Sequence, residues 1–278
     1  MKQIFDKLSF NLSRTTTRSY STSFSIGISL LKPAFREPIY AIYGFVRLAD
    51  EIVDSFHDYN KKELLQDFTS DTWKAIDQGI SMNPILNSFQ SVVNQYNIDR
   101  ELISTFLKSM EMDLEEKQYD QKLYEQYILG SAEVVGLMCL KVFVSGNDEK
   151  YNELKHSAMK LGSAFQKINF LRDMQADYKN MGRTYFPGIN LDYFDENTKI
   201  EIEKDIDKDF RTGFEGIKKL PVDSRIGVYL AYVYYYHLYK KIKKTHAREL
   251  MKKRIRIHNA KKYSLLFSSY LRHSMNIL

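Results

Sequence analysis

Two pairs of aspartates, each pair four residues apart, lie in segments of the chain that are otherwise apolar. The first pair is Asp50 and Asp54, and the second is Asp173 and Asp177. A spacing of four places both carboxylates of a pair on one face of a helix, where the like charges repel. A divalent cation held between them would reverse the sign of that interaction. One such pair is usually a solvated helix surface, but two pairs in two apolar segments favour a metal site.

Polar side chains beside these pairs indicate what the metal would grip. Asn169 and Gln166 extend the second acidic stripe over the preceding turns, and Arg47 and Arg172 each lie within a turn of an acid. Mg²⁺ prefers hard oxygen ligands and typically takes one or two carboxylates together with substrate phosphate oxygens and water. Guanidinium groups bind phosphate oxygens in a fork geometry. The pattern therefore predicts a metal–diphosphate site at the rim of an apolar cavity.

The segments that must position these residues show the period of helices. Apolar residues from Leu102 to Leu114 recur at steps of three and four, as on the buried face of a helix. Ser13–Ser25 is rich in Ser and Thr and is predicted to form a loop or helix cap. Further helices are predicted at Ile39–Phe56, Tyr127–Val144, Tyr151–Lys179 and from Pro221 onward, with breaks at Ser145–Asp148 and Met181–Asn190.

The composition favours one all-α domain spanning residues 1–278. Hydrophobic residues make up 44% of the chain, and 5 Pro and 12 Gly suit long helices. The single cysteine, Cys139, can form neither an internal disulfide nor a zinc site, which favours a reducing compartment. No signal peptide or membrane span is predicted, since the best apolar run, Val134–Val144, is shorter than the roughly 20 residues needed and carries Lys141. We expect a cytoplasmic protein.

The net charge of +6 has its excess near the C-terminus, in the run Lys240–Lys262. Three interpretations of this run remain open: a solvated helix face, attraction to anionic lipid, and attraction to a polyphosphate substrate. The lipid interpretation would place the protein peripherally on the inner face of the membrane. We expect no nucleic-acid partner, because no nucleic-acid-binding motif accompanies the charge.

Four stretches resemble the squalene and phytoene synthase family, and together they span most of the chain. Tyr20–Ser25 is similar to the family's entry segment, and Tyr40–Arg47 leads into the first acidic pair as it does in relatives. Gln166–Asp177 and the following Gly182–Pro187 resemble the second acidic motif and its loop. These last two stretches carry the most specific part of the resemblance.

The resemblance implies a fold and a set of site residues. The fold would be the all-α isoprenoid synthase bundle around a central cavity. Mg²⁺, which Mn²⁺ can replace, would be held by Asp50, Asp54, Asn169, Asp173 and Asp177. Catalytic positions would be Tyr43, Arg47, Gln166 and Arg172, and diphosphate would contact Ser21, Ser23, Arg47, Arg172, Arg254 and Arg256.

The implied reaction is the head-to-head coupling of two prenyl diphosphates. The run Gly130–Gly136 looks more like bacterial phytoene synthases than squalene synthases, which implies two geranylgeranyl diphosphates, phytoene as product and no need for NADPH. Downstream carotenoid enzymes would then be partners. A squalene or dehydrosqualene synthase using two farnesyl diphosphates stays an alternative, as does a non-catalytic scaffold relative.

Tyrosines near the predicted site have open roles. Tyr127 is retained from a Tyr-rich family motif, but Leu129 and Gly130 stand where relatives often carry another Tyr, so no catalytic Tyr is assigned to this helix. A cluster between Tyr232 and Tyr239 could shield carbocations or simply pack. Asp113 matches a recurrent family position, either beside the metal ligands or paired with a core Arg.

Overall fold

The computed structural model describes residues 1–115, 118–176, 178, 184–189 and 193–257. Within these ranges the chain is helical, and the one extended pairing is an isolated bridge between Gln118 and Thr184. The helices are α1 (Lys2–Tyr20), α2 (Thr22–Ser29), α3 (Pro33–Ser55), α4 (Lys61–Gln78), α5 (Pro84–Tyr96), α6 (Arg100–Glu115), α7 (Gln121–Ile128), a π-helical turn (Leu129–Glu133), α8 (Val134–Phe143), α9 (Asp148–Ala176), α10 (Glu196–Lys219), α11 (Val222–Lys243) and α12 (Ala247–Leu250).

The predicted helices are confirmed as α3, the α7–α8 unit, α6, α9 and α11, with Pro221 immediately before α11. Their apolar faces form two large clusters of buried side chains. One is centred on Phe45, whose ring stacks on that of Phe89 with centroids 3.9 Å apart. The other joins α9, α10 and α11 around Phe210. The described residues pack as one domain, whereas its extension over residues 258–278 stays a prediction.

The Ser- and Thr-rich N-terminal stretch is helical where a loop was predicted. Helix α1 runs to Tyr20, and the chain breaks only at Ser21, whose hydroxyl caps α2 by accepting from the Phe24 amide at 3.2 Å. Ser9 and Thr17 donate their hydroxyls to the carbonyls four residues earlier, at 2.8 and 2.9 Å. These bonds satisfy the hydroxyls within the helix, so small side chains can be buried against α3 and α5.

Helices α7 and α8 are joined without a break by the π-helical turn. The turn contains Gly130, where a Cβ would lie only 2.5 Å from the Cβ of Ser109 on α6, so the two helices touch there. The combined helix, Gln121–Phe143, has 23 residues and a hydropathy of 1.3, enough by length and composition to cross a membrane. Of its most apolar window, 56% is buried inside the bundle, as in the core helix of a globular domain.

Candidate active site

A cavity of about 660 Å³ runs through the centre of the bundle. Residues of α2, α3, the α7–α8 unit, α9, α10 and α11 line it. Its polar lining gathers near the C-terminal ends of α3 and α9, and this end is called the mouth below. The polar residues of the mouth are Tyr20, Ser21, Ser23, Tyr43, Arg47, Asp50, Asp54, Asp113, Tyr127, Gln166, Asn169, Arg172, Asp173, Tyr185, Tyr234, Tyr235 and Arg254.

The rest of the cavity is apolar and deep. On α3 the lining runs from Asp54 at the mouth to Ile39, about 22 Å at 1.5 Å per residue. On the α7–α8 unit it runs from Tyr127 to Phe143, about 24 Å on the same reckoning. Cys139 lines this deep part, and burial raises the pKa of its thiol to about 12, so it stays a neutral, unreactive thiol.

Three helix ends give the mouth its electrostatic character. Asp54 lies in the last turn of α3 and Asp173 in the last described turn of α9, and neither turn contains a basic residue of its own that would offset the helix dipole. The negative ends of two helix dipoles thus add to the carboxylates. Helix α2 instead begins at the mouth, where Ser21 and Ser23 line the cavity. Free amides and the positive end of its dipole favour an anion there. Cation and anion sites therefore adjoin.

The first acidic stripe is held by one arginine. The Arg47 guanidinium donates to Asp50 Oδ2 at 3.1 Å and also to Glu51 through its other terminal nitrogen. Enclosure at the mouth, together with the negative charge of Asp54, raises the pKa of Asp50 above its usual range. Asp50, Glu51 and Asp54 are three carboxyl groups, and the single positive charge of Arg47 does not neutralise them all.

Arg47 has a further donor that points to a ligand. Its Nε is buried and has no hydrogen-bond partner within the described residues, while the Tyr20 ring covers the guanidinium at 4.3 Å. An orphaned buried donor is costly unless something binds it. A phosphate oxygen in the cavity would satisfy it.

The second acidic stripe is neutralised by two arginines. Arg172 donates to both carboxylate oxygens of Asp173 at 2.5–3.1 Å, and Arg254 approaches the same carboxylate at 2.6 and 3.2 Å. One turn earlier, Asn169 donates to Gln166 Oε1 at 3.4 Å and accepts from the Tyr235 hydroxyl at 3.3 Å. The sequence alone did not predict that Arg254, 81 residues away, would form an ion pair with Asp173.

Of the residues predicted from the sequence, eleven line this one cavity: Ser21, Ser23, Tyr43, Arg47, Asp50, Asp54, Gln166, Asn169, Arg172, Asp173 and Arg254. Arg256 does not line it. That side chain is exposed, and its backbone carbonyl accepts from Lys241 Nζ at 2.7 Å. Asp177 lies outside the described residues, so its predicted place beside Asp173 stays a prediction.

Asp113, which the sequence analysis placed beside the metal ligands or opposite a core Arg, lies at the mouth with tyrosines as its hydrogen-bond partners. Asp113 on α6 accepts from the Tyr127 hydroxyl at 2.8 Å and from the Tyr185 hydroxyl at 3.4 Å, and all three residues line the cavity. Burial, reinforced by the charge of Asp113, raises the pKa of Tyr127 well above its usual value, so this hydroxyl stays a donor. The sequence signal for this hydrogen-bonded group was Asp113 itself, an aspartate on the otherwise apolar buried face of α6.

The tyrosines of α11 divide between two surroundings. Tyr234 and Tyr235 line the cavity, and the Tyr235 ring stacks on Phe165 with centroids 4.0 Å apart. Tyr232, Tyr236 and Tyr239 instead pack around Phe210 on α10. Two tyrosines of the cluster therefore line the cavity and three pack in the core, while the shielding of carbocations stays a prediction.

The donor set fits Mg²⁺ bound jointly with a diphosphate. Among the described residues, no three His, Cys, Asp or Glu side chains are grouped closely enough to hold a metal by themselves. Mg²⁺ does not require such a cage, because phosphate oxygens and water complete its shell. Carboxylates on α3 and α9 face a cavity that also offers the orphaned donor of Arg47.

Comparison with known proteins agrees with this geometry. The sequence model described as Squalene/phytoene synthase matches residues 17–199. A 4,4'-diapophytoene synthase from Staphylococcus haemolyticus is 30% identical over 196 residues, which cover 68% of this chain and 65% of that protein. A phytoene synthase from Arthrospira platensis is 28% identical over 199 residues, covering 67% of this chain and 63% of that protein. The chain thus matches slightly less than two thirds of the length of these relatives.

Solved structures show the same fold over almost the whole chain. A dehydrosqualene synthase in complex with ligand superposes with a TM-score of 0.82 at 23% identity, covering 97% of this chain and 98% of that one. A squalene synthase from Alicyclobacillus acidocaldarius superposes with a TM-score of 0.75 at 19% identity, covering 91% of this chain and 97% of that one. The helical bundle is therefore the isoprenoid synthase fold predicted from the sequence, and the chain belongs to the squalene/phytoene synthase family of prenyltransferase-like isoprenoid synthases.

Proposed function

We propose that the protein is a Mg²⁺-dependent phytoene synthase that couples two molecules of geranylgeranyl diphosphate head to head. The observation that carries this proposal is the cavity, which joins a mouth of carboxylates and guanidinium groups to a long apolar interior. Such a cavity suits a substrate with an anionic head and a hydrocarbon tail.

The depth of the interior supports the longer of the two candidate substrates. The sixteen-carbon main chain of a geranylgeranyl group spans about 19 Å when extended, and the twelve-carbon chain of a farnesyl group about 14 Å, at roughly 1.3 Å of advance per bond. The lining of the α7–α8 unit extends about 24 Å below Tyr127. The longer chain therefore fits below the mouth without folding back.

In the reaction, the first geranylgeranyl diphosphate loses diphosphate to give an allylic cation. The alkene of the second attacks C1 of this cation, and loss of a proton leaves the cyclopropyl compound prephytoene diphosphate. Loss of the second diphosphate, rearrangement and loss of a second proton give phytoene. The two substrates thus yield one hydrocarbon, two diphosphates and two protons, with no reductant consumed.

The residues of the mouth supply charge for the departing diphosphate. Bound Mg²⁺ would act as a Lewis acid on its oxygens. Arg47 offers its orphaned Nε, and the start of α2 offers backbone amides beside Ser21. Burial raises the pKa of Tyr43 to about 12, so its hydroxyl stays protonated and can donate to a phosphate oxygen.

Aromatic side chains protect the cations from water. The rings of Phe24 and Tyr43 meet with centroids 5.8 Å apart, and Tyr235 lies against both Phe24 and Phe165. These rings form the wall just inside the mouth, where the cations would arise. Their faces carry partial negative charge that stabilises a cation without reacting with it.

The decisive experiment incubates the purified protein with Mg²⁺ and each prenyl diphosphate, with and without NADPH, and analyses the hydrocarbons. A C40 product formed without NADPH is expected. A C30 product contradicts the proposal, and the absence of hydrocarbon under every condition favours the scaffold alternative.

A dehydrosqualene synthase using two farnesyl diphosphates is the second candidate. It is favoured by the names of the relatives, which include a 4,4'-diapophytoene synthase and a dehydrosqualene synthase. Cys139 distinguishes the two candidates, because it lines the cavity about 18 Å below Tyr127. That depth is beyond the end of an extended farnesyl chain but near the end of a geranylgeranyl chain.

We expect Cys139→Phe to lower turnover of geranylgeranyl diphosphate at least about fivefold, because overpacking of this size costs about 1–3 kcal/mol. Turnover of farnesyl diphosphate should be retained. Cys139→Ser, which barely changes the volume, is the matched control. Loss with neither substrate would show that the chains do not reach this depth, and equal loss with both would show that Cys139 does not distinguish the two chain lengths.

A further inference from the structure

Helix α1 buries small polar side chains and exposes three of its five large apolar ones, while Phe5 and Phe10 are half-buried. The side chains it buries are Ser9, Ser13 and Thr17. By contrast, Ile4 is 74% exposed and Leu8 is 49% exposed. Soluble helices ordinarily turn their apolar residues toward the core, so the exposed apolar residues of α1 are not explained by packing within the bundle.

The exposed apolar residues form a continuous stripe. Ile4, Leu8 and Leu12 follow one another at steps of four, so they lie in a single row along the outer face of α1. Two more exposed apolar side chains, Ile80 and Met82, lie in the loop before α5. We call Ile4, Leu8 and Leu12 the α1 stripe.

The loop is tied to α1 through a buried asparagine. Ser81, between the two exposed apolar residues, donates its amide to Asn87 Oδ1 at 3.2 Å. Asn87 in turn donates to Asp6 at 3.1 Å and to Ser9 at 3.1 Å. The exposed apolar residues of the loop and of α1 thus lie at the same end of the molecule.

One flank of the α1 stripe is basic. Lys7, Arg14 and Arg18 are exposed and are spaced by seven and four residues, which places them in one row beside the stripe. The sole acid of α1, Asp6, is turned to Asn87 and Lys2. An apolar stripe beside a row of cations is the pattern of a helix that lies in the interface of an anionic membrane.

We propose that α1 docks the protein on an anionic lipid surface, with the α1 stripe inserted among the acyl chains and Lys7, Arg14 and Arg18 on the headgroups. A second copy of the chain fits this face less well. An antiparallel two-fold pairing of α1 with its copy would set the two basic flanks side by side, so like charges would meet. Anionic lipid complements the flank instead.

The docked orientation would bring the cavity close to the lipid. Helix α1 ends at Tyr20, and Tyr20 and Ser21 both line the mouth. A prenyl substrate or a hydrocarbon product could then pass between the membrane and the cavity with a short exposure to water. Docking itself depends on α1 and not on which hydrocarbon the enzyme makes.

The test is co-flotation of the full chain with vesicles of phosphatidylcholine, alone or mixed with anionic phosphatidylglycerol. We expect binding to the mixed vesicles. Ile4→Gln, Leu8→Gln and Leu12→Gln combined should lower the partition at least about 100-fold, because three apolar side chains would no longer be buried among the acyl chains. The control, Ile200→Gln with Val222→Gln, changes exposed apolar residues on α10 and α11 and should bind as the parent does.

A second set of variants tests the charge. Lys7→Gln, Arg14→Gln and Arg18→Gln combined should lower binding to anionic vesicles about 100-fold, at roughly 1 kcal/mol per cation. Binding to neutral vesicles should not change. Insertion is measured with Leu8→Trp, whose emission should shift to the blue on vesicles relative to the parent, which has Trp73 alone.

Circular dichroism and thermal melts show whether each variant is folded. The proposal is overturned if the parent does not bind anionic vesicles, or if the folded stripe variant binds as the parent does. It is also overturned if Lys252→Gln with Lys253→Gln removes binding that the stripe variant retains, because the basic C-terminal segment would then be the anchor. Loss of self-association in the stripe variant, without an effect on vesicles, would assign the face to a second copy.

Discussion

The two acidic stripes of the mouth have similar sequences but different electrostatic surroundings. Asp50 on α3 shares the guanidinium of Arg47 with Glu51, and its pKa is raised by enclosure and by Asp54. Asp173 on α9 is contacted by two guanidinium groups, those of Arg172 and Arg254. Equal spacing of acids thus does not imply equal charge balance.

The difference suggests an order of binding. A Mg²⁺ ion that binds without diphosphate is stabilised most at α3, because negative charge is concentrated there and the helix C-terminus adds to it. At α9 it must compete with two arginines. A diphosphate would draw those arginines to its own oxygens and so release Asp173 for the metal. We therefore expect the first stripe to respond to Mg²⁺ and the second to Mg²⁺ with diphosphate.

The largest expected effect is on turnover. Asp50→Asn and Asp173→Asn should each lower kcat/KM by about 10²–10³-fold, the effect of losing one preorganised electrostatic contact. Helicity measured by circular dichroism should be unchanged. Asp58→Asn, an exposed aspartate just after α3, is the control and should retain full activity. Retained activity in both variants would refute the metal assignment.

The second prediction separates the stripes by thermal shift. Mg²⁺ with inorganic pyrophosphate at 100 times the dissociation constant should stabilise the parent by about 2.7 kcal/mol, or roughly 5 °C or more in Tm. Asp50→Asn should lose the smaller shift caused by Mg²⁺ alone. Asp173→Asn should keep that shift and lose the further response to pyrophosphate. If both variants behave alike, the stripes are equivalent and the proposed order is wrong.

The third prediction concerns the arginine that reaches Asp173 from outside α9. Without pyrophosphate, Arg254→Gln should lower the Mg²⁺ concentration for half-maximal thermal shift by up to about fivefold, since a partly exposed ion pair with Asp173 is worth up to roughly 1 kcal/mol. Arg256→Gln, two residues along and outside the cavity, should leave it unchanged. An identical response of the two variants would show that the ion pair between Arg254 and Asp173 does not compete with metal binding.

The fourth prediction concerns stability without metal, where the two substitutions should have effects of opposite sign. Asp50→Asn relieves like-charge repulsion and should raise the free energy of unfolding by about 0.2–0.5 kcal/mol. Asp173→Asn leaves Arg172 and Arg254 without their carboxylate and should lower it by about 1–2 kcal/mol. Urea titration in the presence of a chelator measures both. Changes of the same sign would contradict the contrast between the stripes.

Much of this site could be predicted from local spacing. The acids and the nearby Arg47 and Arg172 are separated by turns of a helix, so the sequence predicts that they share a face. Distant partners could not be found in this way. Asp113 and Tyr185 are 72 residues apart, and only the folded chain brings them together. Likewise, only the long-range contact with Asp173 shows that Arg254, and not Arg256, lines the cavity.

The fold was predicted less well where local propensity opposed the outcome. The Ser- and Thr-rich part of α1 favours capping and loops when considered alone. Its hydroxyls are satisfied within the helix, and its small side chains allow close packing, since a Cβ on Gly44 would lie 3.0 Å from Ser13 Oγ. Tertiary packing thus outweighed propensity.

The π-helical turn at Leu129–Glu133 has a consequence for insertions and deletions. A π-helical turn accommodates one residue more than an α-helical turn. Removing one residue there would leave a regular α-helical turn, so Cys139 and Phe143 would keep the face that they share with Tyr127. Removing one residue from the regular helix α8 instead would rotate everything beyond it by about 100°. A single-codon deletion in α8 before Cys139 should therefore be far more harmful to the wall of the cavity than one in the π-helical turn.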